Sequence, residues 1–243
     1  VALGTAAVVI LSLGLVVQRA LRSEPTAPQP PTSAASSDEN PLPACSVGDA
    51  RTRFRSYGDW DRTLLDTRLR VPESYEPSDL VSTRKAGFKT SRPVRSLLIE
   101  DLADLRSAAD EAGNPVDITW GYRSYVTQRW VFEYWSKRKG RDATLRTAAR
   151  PGHSEHQLGT ALDFKSEGAL NVDRGWRYEP AGVWMRENAW RFGFIESYPL
   201  GKEAVTCYDH EPWHYRYFGR ELAAEIHASG LTTREYLWRE ADR

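Results

Sequence analysis

Two short stretches of this chain hold residue types that can do chemistry together. Residues 154–163 read Ser-Glu-His-Gln-Leu-Gly-Thr-Ala-Leu-Asp, with an imidazole at His156, a carboxylate at Asp163 and Gly159 between them. Further along comes Glu211-Pro212-Trp213-His214. Together these offer two neutral imidazoles and one carboxylate as metal ligands, with a second carboxylate alongside. Three protein ligands and an open position describe a catalytic zinc, whereas structural zinc sites are closed by four. The spare carboxylate, Glu211, is what an activated water needs as a proton acceptor.

A rival motif overlaps the second stretch. His210-Glu211-Pro212-Trp213-His214 matches H-E-x-x-H, which binds zinc from one face of a helix. Pro212 falls between the two histidines, where a helix interior does not tolerate it. The downstream alternation of Trp213, Tyr215 and Tyr217 with His214 and Arg216 reads as a strand instead. Both readings keep Glu211 as base and His214 as ligand. They differ on His210 against the pair His156 and Asp163. Gly159 permits a sharp turn from a loop histidine into a following strand. On that strand Asp163 faces away from Leu162 and Phe164. Alone, Asp163 reads as a surface carboxylate and His156 as a solvated loop histidine. Their spacing, joined to Glu-x-x-His, argues for metal.

Arg123 sits in Gly121-Tyr122-Arg123-Ser124, a turn between a strand and a helix. It reads either as a surface arginine or as a bidentate partner for an oxyanion or a substrate carboxylate. Gln128, one turn into the helix, and Ser154, before the ligand histidine, are weaker candidates for substrate contact. A Ser154-His156-Asp163 triad is disfavoured, because no nucleophile-elbow pattern surrounds the serine. His153 is at most a supporting contact, and His227 lies on a polar helix face.

The elements that must position these groups are legible from periodicity. Ser91–Gly113 reads as one helix, with Val94, Leu97, Leu98, Leu102, Leu105, Ala109 and Ala112 on a face. Val116, Ile118 and Trp120 alternate as a strand. Ser124 can cap a helix that carries Trp130, Val131, Tyr134 and Trp135. Residues 138–152 are polar and read as a loop. Strands are expected at 160–165, 194–198 and 213–217, and helices at 181–192 and 219–229. Thr232-Thr233-Arg234-Glu235 is a capping box for a last helix. Helices and short strands mix without a βαβ rhythm. The expected fold class is therefore α+β, a small antiparallel sheet with flanking helices in a single domain.

With 33 basic and 33 acidic residues the net charge is zero, which removes the basic face expected of a nucleic-acid binder. Nine tryptophans and eleven tyrosines read first as packing and second as a substrate groove. Residues 1–17 are almost wholly apolar and are expected to be a membrane anchor or signal segment. Arg19 and Arg22 follow it, an orientation bias toward the cytoplasm that a basic leader would overturn. Residues 18–47 are a Pro/Ser-rich spacer with no core of its own. Residues 48–243 are then the folded domain, displayed outside a membrane. Cys45 and Cys207 could form a disulfide in an exported protein. They could also be free thiols, or Cys207 a metal ligand.

Taken together, Gly-Tyr-Arg-Ser with Gln128, S-x-H-x-x-G-x-A-x-D at 154–163 and Glu-Pro-Trp-His at 211–214 resemble the VanY-type zinc D-alanyl-D-alanine carboxypeptidases of the LAS peptidase group. Tyr75 to Val81 and Trp184 to Pro199 are similar as well, so the resemblance covers residues 70–220. It implies Zn2+ held by His156, Asp163 and His214, with Glu211 as general base and Arg123 stabilising the tetrahedral species. It implies a substrate at the D-Ala-D-Ala end of a peptidoglycan stem peptide. A cell-wall endopeptidase with the same site, or a non-catalytic zinc-containing wall-binding module, are the alternatives. The intact Glu211 counts against the latter.

Overall fold

The computed structural model describes Val1 and residues 41–241. The expected anchor at 1–17 and most of the expected spacer lie outside the described residues. Among the described residues no helix is long and apolar enough to cross a membrane. Among the described residues the compact unit begins at Pro41. The last spacer residues are tied into it, since Arg234 Nη2 donates to the Pro43 carbonyl at 3.0 Å. Cys45 is bonded to Cys207 across 5.3 Å between Cα atoms.

The unit starts with short pieces. Strand β1 (Ala50–Arg51) pairs in parallel with β2 (Leu69–Arg70), and β3 (Leu80–Ser82) pairs antiparallel with β4 (Pro93–Arg95). A helix was expected over 91–113, but α1 spans only Ile99–Glu111. Pro93 bars the residue before it from helical backbone, and residues 93–95 pair with β3 instead. Strand β5 (Val116–Trp120) leads through the Gly121–Ser124 turn into α2 (Tyr125–Lys139). Ser124 Oγ caps α2 by accepting from the Thr127 amide at 3.1 Å. The stretch expected as a loop at 138–152 contains α3 (Arg141–Thr147). Its polarity signals an exposed helix, packed on α2, with Thr144 as its only buried residue.

Next come β6 (Ala161–Ser166), α4 (Pro180–Asn188), β7 (Phe194–Glu196), the short α5 (Glu203–Thr206) and β8 (His214–Tyr217). Helices α6 (Arg220–Ser229) and α7 (Thr233–Glu240) close the described chain, α7 with the expected Thr232/Glu235 capping box. Strands β5, β6, β8 and β7 form the main sheet in that order, antiparallel throughout.

The two faces of this sheet have different fates. Ile118, Leu162, Phe164, Phe194, Tyr215 and Tyr217 pack with Leu98, Leu102 and Leu105 in the main core. Full burial of each such side chain stabilises the fold by about 1.5–3 kcal/mol. The alternate residues, Asp163 on β6 and His214 with Arg216 on β8, therefore point to the other face. That face is not solvent, since all three are buried. Buried polar side chains need partners, and those partners make the site.

Candidate metal centre and active site

Strand register does the first part of the assembly. Asp163 lies directly opposite His214 in the β6–β8 ladder. Residues facing each other on adjacent strands have Cβ atoms roughly 5 Å apart, so the two side chains must meet. His214 Nδ1 lies 3.0 Å from Asp163 Oδ1.

His156 arrives from a tight turn. Residues 155–158 form a 3-10 turn that ends at Gly159, whose φ of 74° is the left-handed conformation glycine adopts without cost. The Gly159 carbonyl is bound by the Arg95 amide at 2.9 Å, which pins the turn to β4. His156 Nδ1 is 2.7 Å from the Gly121 carbonyl. A carbonyl only accepts, so Nδ1 carries the proton and Nε2 presents a lone pair. Nε2 is buried and makes no hydrogen bond, although it lies 3.2 Å from Asp163 Oδ1. The short distance is contact without bonding geometry. Gly121 is itself forced, because a Cβ there would meet the Pro93 carbonyl at 2.4 Å.

Ligand atoms of His156, Asp163 and His214 all lie within 4.8 Å of one another. An imidazole nitrogen with an orphaned lone pair, an ionised carboxylate and a second imidazole are the donor set of zinc. The residues fit a cation. Among the described residues no other group of three potential ligands is so arranged.

Charge states follow from burial and partners. Burial would raise the Asp163 carboxyl, but the two histidines outweigh it and hold it well below the usual carboxylate range. Burial, followed by the Arg123 charge, pushes His156 down to about 4, which keeps it neutral. Burial opposes the charge on His214, yet hydrogen bonds to Asp163 and Glu155 raise it to about 10. A bound cation would take the place of the proton between His214 Nδ1 and Asp163, since ligand imidazoles are deprotonated.

Glu211 is delivered by a turn. The His214 amide donates to the Glu211 carbonyl at 3.1 Å, and the Glu211 amide to the Tyr198 carbonyl at 3.1 Å. Glu211, Arg123, Gln128, Ser154, His156 and His214 line one cavity of about 50 Å³, joined by Tyr198, Tyr208 and two alanines. Burial pushes the Glu211 carboxyl up to about 7. A carboxyl near neutrality is suited to exchange protons. A larger groove of about 670 Å³ runs between Trp60 and the last two helices, but none of His156, Asp163, Glu211 and His214 lines it. Convergent chemistry outranks size here.

Arg123 is no surface arginine. Its Nη2 lies 3.6 Å from Asp163 Oδ2, and Nη1 donates to Gln128 Oε1 at 3.0 Å. Gln128 Nε2 in turn donates to the Ala149 carbonyl at 2.6 Å, so Gln128 holds the guanidinium in place. Ser154 is buried on the cavity wall. His210 is not part of the cluster; its Nε2 lies 3.3 Å from Glu196. The helical H-E-x-x-H arrangement is absent because 214–217 is a strand. His153 bonds the Asp66 carbonyl and Asp49, and His227 stacks on Trp190 at 4.4 Å, both away from the ligands.

Glu155 is the site residue that sequence reasoning missed. Its Oε2 accepts from His214 Nε2 at 2.9 Å and from Ser197 Oγ at 2.7 Å, while Oε1 accepts from Arg216 at 3.0 Å. Burial would raise this carboxyl, but His214 and Arg216 overcome it and hold it at about 2. Adjacency to His156 was the only signal for it, since Arg216 and Ser197 are remote in sequence.

A family model described as VanY, D-alanyl-D-alanine carboxypeptidase, matches residues 91–220. The chain belongs to this family. It is 33% identical over 192 residues to a D-alanyl-D-alanine carboxypeptidase of Enterococcus faecalis, covering 74% of this chain and 66% of that relative. The chain thus spans just under two thirds of that relative's length. Among solved structures, the LdcB LD-carboxypeptidase superposes with a TM-score of 0.65 at 33% identity, over 72% of this chain and 85% of that one. A glutamate-to-alanine mutant of a VanY D,D-pentapeptidase from a VanB-type vancomycin resistance cassette, in complex with Zn(II), gives a TM-score of 0.62 at 32% identity, over 73% and 99%.

Proposed function

We propose that this chain is an extracytoplasmic zinc D-alanyl-D-alanine carboxypeptidase that removes the terminal D-Ala of peptidoglycan stem peptides. The observation that carries the reading is the convergence of His156, Asp163 and His214 within 4.8 Å, beside a cavity that Glu211 and Arg123 share. Family membership and the Zn(II) complex of a VanY relative support it.

His156 Nε2, a carboxylate oxygen of Asp163 and His214 Nδ1 would hold the ion. When bound, zinc supplies a Lewis acid that polarises the scissile carbonyl and acidifies water. Glu211 accepts the proton of the attacking water and returns it to the leaving amine of D-Ala. Arg123, kept taut by Gln128, faces the developing oxyanion and offsets its charge. The cavity is small and its His156, His214 and Ser154 walls are buried, where charges interact more strongly than in water.

The disulfide supports an oxidising compartment. The apolar segment at 1–17 and the proline-rich spacer after it fit a domain held outside a membrane by an N-terminal anchor.

Metal analysis with a D-Ala release assay tests the reading. Wild-type protein should bind one zinc and release D-Ala from a free pentapeptide ending in D-Ala-D-Ala. Asp163→Ala should lose the zinc, and Glu211→Ala should keep it and lose turnover. Near-normal turnover by Glu211→Ala would overturn the mechanism. Similarity to LdcB favours a second reading, in which the substrate is the tetrapeptide with a single terminal D-Ala. Running pentapeptide and tetrapeptide in parallel separates the two. An amidated C-terminus, which only an endopeptidase would accept, separates the third.

A further inference from the structure

An imidazole ligates a metal through one nitrogen only, and the proton on its other nitrogen fixes which one. His156 has that question answered by the Gly121 carbonyl. His214 faces a carboxylate at each nitrogen, Asp163 at Nδ1 and Glu155 at Nε2. We propose that Glu155, clamped by Arg216 and Ser197, is the positioning residue that holds the proton on His214 Nε2 and so aims Nδ1 at the metal. This deepens the zinc-site reading above and rests on it.

Three observations carry the assignment. First, Glu155 lies beyond the ring from the ligand cluster. Its Oε2 is 2.9 Å from Nε2, while Nδ1 on the opposite side of the ring faces Asp163 at 3.0 Å. A carboxylate placed there cannot reach an ion on Nδ1, so Glu155 acts through His214. Second, every partner of Glu155 donates to it. Arg216 Nη1 donates to Oε1 at 3.0 Å, and Ser197 Oγ and His214 Nε2 share Oε2. Ionised carboxylates only accept, so the proton between Glu155 and His214 belongs to the imidazole. Third, the clamp has rigid anchors. Arg216 is fully buried, its Nη2 donates to the Trp60 carbonyl at 2.7 Å, and its guanidinium lies 4.6 Å from the Phe218 ring centre. Ser197 Oγ is 2.7 Å from Glu155, and the Ser197 amide bonds the His214 carbonyl at 3.2 Å.

The charge count explains why an arginine is required. Asp163 and Glu155 are two buried anions within reach of one imidazole. Arg216 neutralises Glu155 at 3.0 Å and leaves Asp163 to compensate the cation. Carboxylate partners of this kind fix tautomer and ring orientation, and raise the ligand's basicity.

The isosteric variant Glu155→Gln gives a sharp test. Arg216 can only donate, so the amide oxygen must face it. The NH2 group then points at Nε2, which turns acceptor and sends the proton to Nδ1. In the full chain, zinc affinity is measured by competition with a chromophoric chelator. The His214 tautomer is read from imidazole ¹⁵N shifts. Glu155→Gln should fold, bind zinc about 10- to 100-fold more weakly, and lose the proton on His214 Nε2 when metal-free, where wild type keeps it. Asp163→Ala is run beside it and should abolish zinc binding. A Glu155→Gln protein with wild-type zinc affinity and Nε2–H retained, beside an Asp163→Ala protein that loses zinc, overturns this proposal alone. Wild-type affinity in Asp163→Ala would overturn the ligand assignment itself. A purely structural Glu155–Arg216 pair would lower the melting temperature without moving the tautomer.

Discussion

Glu211 carries two demands that conflict. As the proposed base it must ionise, yet burial pushes its carboxyl up to about 7 from an ordinary value of 4.5. In metal-free protein the folded state therefore holds this proton between those values while the unfolded state has released it. A folded value above the unfolded one means the stabilisation is complete below pH 4.5 and is lost as pH rises through about 7. Glu211→Gln cannot ionise. Stripped of metal, it should be more stable than wild type at pH 8, by on the order of 1–3 kcal/mol after allowance for partial solvent screening. It should match wild type near pH 4, as denaturant titrations at the two pH values would reveal. With zinc restored, its turnover should fall about 100- to 10,000-fold, the usual contribution of a general base. Equal metal-free stabilities at pH 8 would mean that the carboxylate is already solvated. Among single residues, His156, Asp163 and His214, which the structure brings within 4.8 Å, and the proposed base Glu211 were readable as candidates from type and spacing. Glu155 was not, because a lone glutamate in a motif says nothing of an arginine far downstream.

Elements set the distances. The β6–β8 register places Asp163 across from His214, and the turn at 155–159 drops His156 onto the Gly121 carbonyl. The Gly121 backbone lies so close to Pro93 that a methyl group there would sit 2.4 Å from the Pro93 carbonyl. Gly121→Ala should accordingly destabilise the fold by about 1–3 kcal/mol, the usual cost of overpacking. It should also weaken zinc binding, since the shifted carbonyl no longer holds His156 Nδ1. Chemical denaturation and a chelator titration on the same variant check both effects. Zinc affinity unchanged despite lost stability would separate His156 from its backbone partner. At this scale the alternating strands at 116–120 and 161–166 were legible, because burial of one face writes a period of two into the sequence. Strand β4 was hidden inside an apolar pattern with helical spacing, and α3 inside a polar one. Pairing with β3 in the first case, and packing on α2 in the second, lie outside local sequence.

Across the whole molecule, one covalent link joins the beginning of the compact unit to the segment before Glu211. Cys45 and Cys207 are 162 residues apart. Closing so long a loop limits the unfolded chain, a stabilisation of up to about 5 kcal/mol in the chain-entropy model. Cys207 ends α5 in the left-handed conformation, at φ 70°. Arg234 reaches from the last helix to Asp66, the Val205 carbonyl and the Pro43 carbonyl, so the ends of the unit are also held noncovalently. Cys45→Ser with Cys207→Ser should therefore lower the thermal midpoint while leaving kcat/KM for D-Ala release near wild type at 25 °C. A collapse of activity without loss of fold would instead mean that the bridge sets the position of Glu211.

Chemistry at the centre was determined by the sequence alone. Which side chains can bind a cation, which can take a proton, and which face of each strand goes inward are properties of residue type and of period. Tertiary structure decided what those groups experience. Register, a glycine-lined backbone approach and the buried Arg216–Glu155 pair join segments far apart in the chain. They determine which nitrogen of each histidine is free, how far Glu211 is pushed toward neutrality, and that Arg123 faces the ligands instead of solvent. Proton affinity and tautomer depend on charges and dipoles within a few ångströms, and such neighbours exist only once the chain has folded.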